Sequence, residues 1–73
     1  MTWMIYGANG YTGRLMVREA VARGMTPILA GRRREDLEAM GREFGLEVRV
    51  FGLEPAALDL GLRGVSLVLH CAG

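Results

Sequence analysis

Three evenly spaced glycines follow a short apolar run near the start of the chain. The run covers residues 2–6, and the glycines are Gly7, Gly10 and Gly13. A helical pattern of residues begins at Tyr11. A strand that turns through glycines into a helix brings backbone N–H groups close to a phosphate, with the positive end of the helix dipole behind them. The spacing therefore predicts a phosphate-binding turn between a buried strand and a helix.

Each position of this turn has a predicted role. Gly7 lets the strand turn sharply, Gly10 lets the backbone approach a pyrophosphate, and Gly13 lets the helix pack close to the strand. Asn9 either tolerates a left-handed conformation or braces the loop through its side chain. Thr12 either offers its hydroxyl to a phosphate or caps the helix. The predicted binding residues of the turn are Gly7, Asn9, Gly10, Tyr11, Thr12 and Gly13. The alternative is a tight turn that holds no ligand.

Strand and helix patterns alternate along the rest of the chain. The predicted strands are residues 2–6, 26–30, 47–51 and 65–71, and the predicted helices are residues 11–23, 35–44 and 55–62. In the first helix the apolar residues that predict the buried face are Leu15, Met16, Ala20 and Val21. In the second helix they are Leu37, Met40 and Phe44. Right-handed crossovers then predict a Rossmann-like α/β fold with strand order 3-2-1-4 and helices on both faces, as in an incomplete doubly wound domain.

Length and net charge limit the number of domains and the kinds of partner that the chain can have. The chain has 73 residues, enough for one domain, and a net charge of +1, which favours neither nucleic acid nor a membrane as partner. Its one cysteine excludes an internal disulfide. No signal peptide is visible in these residues, and no apolar run among them reaches the ~20 residues that a membrane-spanning helix needs. A cytoplasmic location is expected.

Three short motifs carry a family resemblance. They are Gly-Ala-Asn-Gly-Tyr-Thr-Gly at 7–13, Leu-Ala-Gly-Arg at 29–32 and Cys-Ala-Gly at 71–73. Together they resemble the N-terminal NAD(P)-binding domain of saccharopine dehydrogenase-like oxidoreductases, a group that includes the trans-acting enoyl reductases. The chain is also similar to the cofactor half of extended and atypical short-chain dehydrogenases. The resemblance implies that residues 1–73 are the dinucleotide-binding, N-terminal part of a longer protein, and that Ala72 or Gly73 contacts the cofactor.

The residues after the second strand bear on which dinucleotide is bound. An NAD-binding fold usually carries an acid there, about 20 residues past the glycines, to hold the ribose hydroxyls. This chain has Arg32, Arg33 and Arg34 instead. A guanidinium pairs with a 2′-phosphate, which a carboxylate would repel. NADP(H) is therefore predicted over NAD. Arg32 is the first candidate to contact the 2′-phosphate or the face of the adenine, and Arg33 is the second. The alternative is an exposed basic turn ahead of a helix.

No residue of the chain is predicted to be catalytic or to bind a metal. His70 and Cys71 are adjacent on a strand, so they face opposite sides and are expected to be packed residues. Relatives often carry an acid near the adenine after the third strand. Here Glu54 follows that strand, but a position at a helix start is its expected role.

The fourth predicted strand is apolar on both faces, the pattern of an interior strand. As an edge strand it would expose unpaired backbone groups beside apolar surface. A further strand is therefore expected to pair with it, from the remainder of the chain or from a second copy. The resemblance implies the NADP(H)-binding part of an oxidoreductase that transfers hydride to or from a small molecule. The alternative is an NADP(H)-binding redox sensor without catalysis.

Overall fold

Strands and helices alternate along residues 2–71, which are the residues that the computed structural model describes. The strands are β1 (Trp3–Tyr6), β2 (Ile28–Gly31), β3 (Val48–Val50) and β4 (Leu67–His70), and the helices are α1 (Tyr11–Ala22), α2 (Arg34–Phe44) and α3 (Pro55–Gly61). All strand pairs are parallel, and the sheet has the order β3-β2-β1-β4. The predicted fold class and strand order are confirmed. Element ends differ from the prediction by at most two residues; for example, Pro27 precedes β2 and Gly31 belongs to it.

The two faces of the sheet carry different helices. On one face, Ile5 and Leu29 are buried under Val17 from α1 and under α2, whose contributions are Leu37 and Met40. On the other face, the buried residues are Met4, Tyr6, Ile28 and Ala30. The chain on either side of α3 covers this second group with Phe51 and Leu62. Successive strand residues point to opposite faces of the sheet, so the two buried groups lie on opposite faces. The predicted arrangement of helices on both faces is confirmed.

The buried face of α1 agrees with the prediction at Ala20 and Val21 and differs from it at Leu15 and Met16. Leu15 and Met16 are 48% and 38% exposed, whereas Val17 is fully buried. The residues that α1 buries are Gly13, Val17 and Ala20. Gly13 lies so close to the start of the turn that a side chain there would meet the backbone of Ala8. This close approach fixes the rotation of the helix, so the residues one and two turns further along face the sheet.

Tyr6 ties the end of β1 to the chain that leaves β3. Its hydroxyl donates a 2.7 Å hydrogen bond to the carbonyl oxygen of Phe51, and its ring centroid lies 5.2 Å from that of Phe51. The ring of His70, which belongs to β4, stacks on the ring of Tyr6 with 5.4 Å between the ring centroids. Tyr6 is opposite Ala30 of β2 and His70 of β4 in the ladder. The carboxyl ends of three strands are therefore held together at one edge of the sheet.

The hydroxyl of Tyr6 supports a prediction about stability. Tyr6→Phe keeps the ring but leaves the Phe51 carbonyl without this donor, and we expect a loss of about 1 kcal/mol in the free energy of unfolding. The measurement is urea unfolding followed by circular dichroism. Tyr11→Phe is the matched control, because Tyr11 is 84% exposed and its hydroxyl makes no hydrogen bond within residues 2–71. Equal stabilities of the two variants would contradict the prediction.

The strand β4 lies at the edge of the described sheet, with β1 as its neighbour. Leu67 is 55% exposed, and Val68 is also exposed. This is the apolar edge that the sequence predicts, and the strand expected to pair with it stays a prediction. Within residues 2–71 no helix has the length and apolar character needed to cross a membrane.

Helix α3 is attached mainly through its carboxyl end. Gly61 is the residue that it buries. Arg49 of β3 donates hydrogen bonds from Nη1 to the carbonyl oxygens of Gly61 and Arg63, at 3.0 Å and 2.7 Å, and from Nε to Glu47 at 2.8 Å. A cation at this end of a helix also meets the negative pole of the helix dipole. Arg49 therefore holds α3 against the third strand.

Candidate functional site

The turn between β1 and α1 is fixed to the end of β2 by backbone hydrogen bonds. The N–H groups of Gly7 and Ala8 both donate to the carbonyl oxygen of Ala30, at 2.8 Å and 3.2 Å. The N–H of Gly10 donates to the carbonyl oxygen of Gly7 at 3.0 Å. These three amides are satisfied within the protein. The turn is consequently held in one shape by the central strands.

The three glycines of the turn meet different demands. Gly7 has a φ of 84°, a left-handed conformation that favours glycine. At Gly13 a Cβ would lie against the Gly7 carbonyl and 2.8 Å from the Cα of Ala8. At Gly10 φ is −75° and a Cβ would stand 3.4 Å from its nearest neighbour, an ordinary contact. The internal packing therefore requires glycine at positions 7 and 13 but accepts a side chain at position 10.

Four amides of the turn remain available to a ligand. Among the hydrogen bonds within residues 2–71, none uses the backbone N–H of Asn9, Tyr11, Thr12 or Gly13. Three of these four belong to the first turn of α1, which carries no acidic residue. Helix N–H groups without partners, at the positive end of the dipole, attract anions. The first turn of α1, where Tyr11 and Thr12 are exposed and Gly13 is buried, therefore offers unpaired donors and partial positive charge to an anion.

For Thr12 and for Asn9, the structure excludes one of the two roles that the sequence left open. Gly10 is the N-cap residue of α1 and no side chain caps the helix, so Thr12 does not cap it. Thr12 lies instead in the first helical turn, where its hydroxyl is exposed. Every residue with a positive φ in the described part of the chain is a glycine, so Asn9 is not left-handed. The flexible Gly7 makes the sharp bend, which leaves Asn9 in an ordinary conformation.

A cavity opens beside the turn, at the carboxyl ends of β1 and β2. Its volume is about 340 Å³. The residues that line it are Tyr6, Gly7, Asn9, Gly31, Arg32, Arg33 and Leu53. Parallel strands bring their carboxyl ends to one edge, and ligands of open α/β sheets bind at that edge. The structure thus brings the predicted residues Gly7, Asn9, Arg32 and Arg33 into one cavity.

The three consecutive arginines after β2 differ in their partners. Arg33 lies 3.8 Å from Asp36 and Arg34 lies 3.3 Å from Glu38, measured between guanidinium nitrogen and carboxylate oxygen. No carboxylate within residues 2–71 approaches Arg32 to 4.0 Å. Both pairs are exposed and weak, but they leave Arg32 as the uncompensated positive charge at the rim of the cavity.

Sequence reasoning missed Leu53 as a wall of the cavity. It is 46% exposed and lies in the loop between β3 and α3. The available signal was its place just after a parallel strand, at the same edge as the other cavity residues.

The neighbouring Glu54 is the N-cap residue of α3, as its predicted role requires, although its carboxylate makes no capping hydrogen bond. The Glu54 side chain lies instead over Gly52.

The remaining predicted site residues lie elsewhere. His70 stacks on Tyr6, while Cys71 packs against the core under α1, so the two face opposite sides of the sheet as predicted. Ala72 and Gly73 lie outside the described residues. Within residues 2–71 no group of three histidine, cysteine or acidic side chains is arranged to hold a metal ion.

The fold is similar to that of known structures. No family model matches the chain, and no curated protein matches it. A solved structure titled "SsCR_L211H" matches over 100% of this chain and 25% of its own, with a TM-score of 0.83 and 21% sequence identity. This likeness shows a Rossmann-like α/β fold. The chain spans about a quarter of the length of that structure.

Proposed function

We propose that this chain binds NADP(H) and forms the cofactor-binding part of an oxidoreductase, as its resemblance to saccharopine dehydrogenase-like enzymes implies. One observation carries the proposal: the cavity at the carboxyl ends of β1 and β2 brings Gly7 and Asn9 of the glycine turn beside Arg32, which no carboxylate of residues 2–71 pairs. A dinucleotide phosphate carries two kinds of anion, a pyrophosphate and a 2′-phosphate. The turn suits the first and Arg32 suits the second.

The pyrophosphate is assigned to the start of α1. The free N–H groups of Tyr11, Thr12 and Gly13 are available as donors there. Gly10 stands beside them, exposed and without a side chain, although the internal packing accepts one. Close approach of a ligand to the backbone supplies a reason for glycine at that position. Thr12 adds an exposed hydroxyl next to the same donors.

The 2′-phosphate is assigned to Arg32, with Arg33 beside it. A planar guanidinium binds phosphate through two parallel hydrogen bonds, and it does so most strongly when no carboxylate competes. The lining of the cavity includes no carboxylate, although an NAD-binding site usually needs one for the ribose hydroxyls. Of the two acids that follow the arginines, Asp36 is paired with Arg33, and neither Glu35 nor Asp36 lines the cavity. These features favour NADP(H) over NAD.

The chemistry that the cofactor supplies is hydride transfer at its nicotinamide ring. The residues of this chain bind and orient the cofactor. The second candidate function is an NADP(H)-binding redox sensor without catalysis. The cavity lining supports it as well as it supports an enzyme, because the one neutral acid–base group in the lining, the Tyr6 hydroxyl, already donates its hydrogen bond to Phe51. Catalytic groups and substrate contacts are therefore assigned to a further part of the protein, which we place in the cytoplasm.

Titration with NADPH and NADH tests the proposal. We expect the protein to prefer NADPH, and we expect Arg32→Ala to raise the Kd for NADPH about tenfold or more, since a hydrogen bond to a charged group contributes about 1.5–3 kcal/mol. The Kd for NADH should stay unchanged, because NADH lacks the 2′-phosphate. Arg34→Ala is the matched control and should leave both constants unchanged. Equal affinities of the unmutated protein for the two nucleotides would refute the assignment of Arg32.

A further inference from the structure

Asn9 places a polar side chain in the cavity next to Arg32. It is half-buried, and it lines the cavity together with Gly31 and Arg32. A Cβ on Gly31 would stand 3.1 Å from the Oδ1 atom of Asn9. The amide of Asn9 therefore lies over the carboxyl end of β2, against the residue that directly precedes Arg32. The lack of a side chain at position 31 provides the space that this amide occupies.

The side-chain amide of Asn9 has no partner within the described part of the chain. None of the side-chain hydrogen bonds of residues 2–71 involves it. Since no buried side-chain nitrogen or oxygen atom of residues 2–71 lacks a partner, the amide atoms of Asn9 are accessible from the cavity and open to a ligand. The left-handed conformation that would explain an asparagine in a turn is absent here. The turn itself is already fixed by backbone bonds from Gly7 and Ala8 to Ala30. Neither the backbone nor the protein's own hydrogen bonds account for this side chain.

We propose that Asn9 is a second specificity-determining residue, whose side-chain NH₂ donates a hydrogen bond to the 2′-phosphate that Arg32 binds. This inference rests on the proposed function and extends it. Asn9 and Arg32 reach the cavity from different elements, the first from the β1–α1 turn and the second from the end of β2. A phosphate between them receives a neutral donor from one side and a cation from the other. Selectivity for the 2′-phosphate then depends on both residues.

The test is the ratio of the Kd values for NADH and NADPH in Asn9→Asp and Asn9→Ala. Aspartate has the shape of asparagine but replaces the donor by a negative charge, which repels a phosphate. We expect the ratio to fall at least about tenfold in Asn9→Asp and about fivefold in Asn9→Ala, as expected for the loss of about 1 kcal/mol from one hydrogen bond. Both nucleotides contain the pyrophosphate, so the ratio cancels any effect on that group. Ser66→Asp is the control, because it adds the same negative charge at an exposed residue just before β4, at the edge of the sheet opposite to the cavity.

The outcomes separate this inference from the proposed function. If Asn9 only braces the turn, both nucleotides bind more weakly by the same factor, the ratio stays constant, and the inference is overturned. If the unmutated protein binds neither nucleotide, the proposed function itself fails. A ratio that falls in both Asn9 variants and not in Ser66→Asp supports the inference.

Discussion

Gly13→Ala is expected to destabilise the fold by about 3 kcal/mol, the upper end of the range for overpacking a tight contact. The added methyl group would meet the Gly7 carbonyl and the Cα of Ala8, which stands 2.8 Å from its position. These are backbone atoms of a turn that is bonded to β2, so they have no side-chain rotation with which to move aside. Helix α1 must then shift away from β1, and the buried contact of Val17 with the sheet is weakened.

Urea unfolding of the variant gives this value directly. Gly10→Ala is the matched control, because it adds the same methyl group three positions earlier, where the nearest atom would be 3.4 Å away. Its cost should not exceed about 1 kcal/mol, which reflects the poorer N-cap propensity of alanine. If the two variants lose the same stability, the close packing of α1 against the turn is not what places glycine at position 13.

Gly10→Ala is expected to weaken the binding of both NADPH and NADH. Its methyl group fits the protein but projects to the solvent side of the turn, where the proposed pyrophosphate lies against the backbone. We expect the Kd values for NADPH and NADH to rise together, by at least about tenfold, which corresponds to about 1.4 kcal/mol. This pattern differs from that of Arg32→Ala, which acts on NADPH alone. Fluorescence titration of the reduced nucleotides measures both constants.

A glycine at the other end of α1 supplies the control for this binding measurement. Gly24 lies in the turn after the helix, and a Cβ there would have no atom within 4 Å. Its φ of 78° means that Gly24→Ala costs some stability. Nucleotide affinity should nevertheless stay the same, since the site is at the opposite end of the helix. Unchanged nucleotide affinity in Gly10→Ala would show that no ligand approaches the backbone at that position.

The order of the elements was predictable because each one has a clear sequence period and a glycine or proline near its end. Gly45 illustrates this, since it ends α2 in a left-handed conformation as its position after Phe44 suggests. The face of α1 was not predictable in the same way. Leu15 and Met16 are more hydrophobic than Gly13, but the close contact of Gly13 with the turn decides which side of the helix meets the sheet.

Residues of the candidate site were predictable where one residue type is specifically suited to one chemical role, such as glycine at a phosphate-binding turn or arginine at a phosphate. Gly7, Gly10 and Arg32 are of this kind, and the structure places them around a single edge of the sheet. Leu53 and the pairing of Asn9 with Gly31 were not, because both depend on how separate loops meet. The distinction between Arg32 and its neighbours also needed coordinates, since Asp36 and Glu38 select their partners through the geometry of α2.

The slight attachment of α3 has a consequence for the site. A segment that buries little apolar surface opens locally at a lower free energy than the core does. Leu53, one wall of the cavity, lies two residues before this helix, whereas the other walls belong to the central strands and the chain next to them. We therefore expect the Leu53 side of the cavity to yield more easily than the sides formed by the strands and the chain next to them. In the proposed NADP(H) site, contacts on the Leu53 side are then expected to discriminate less between ligands than the contacts that the strand side makes with the phosphates.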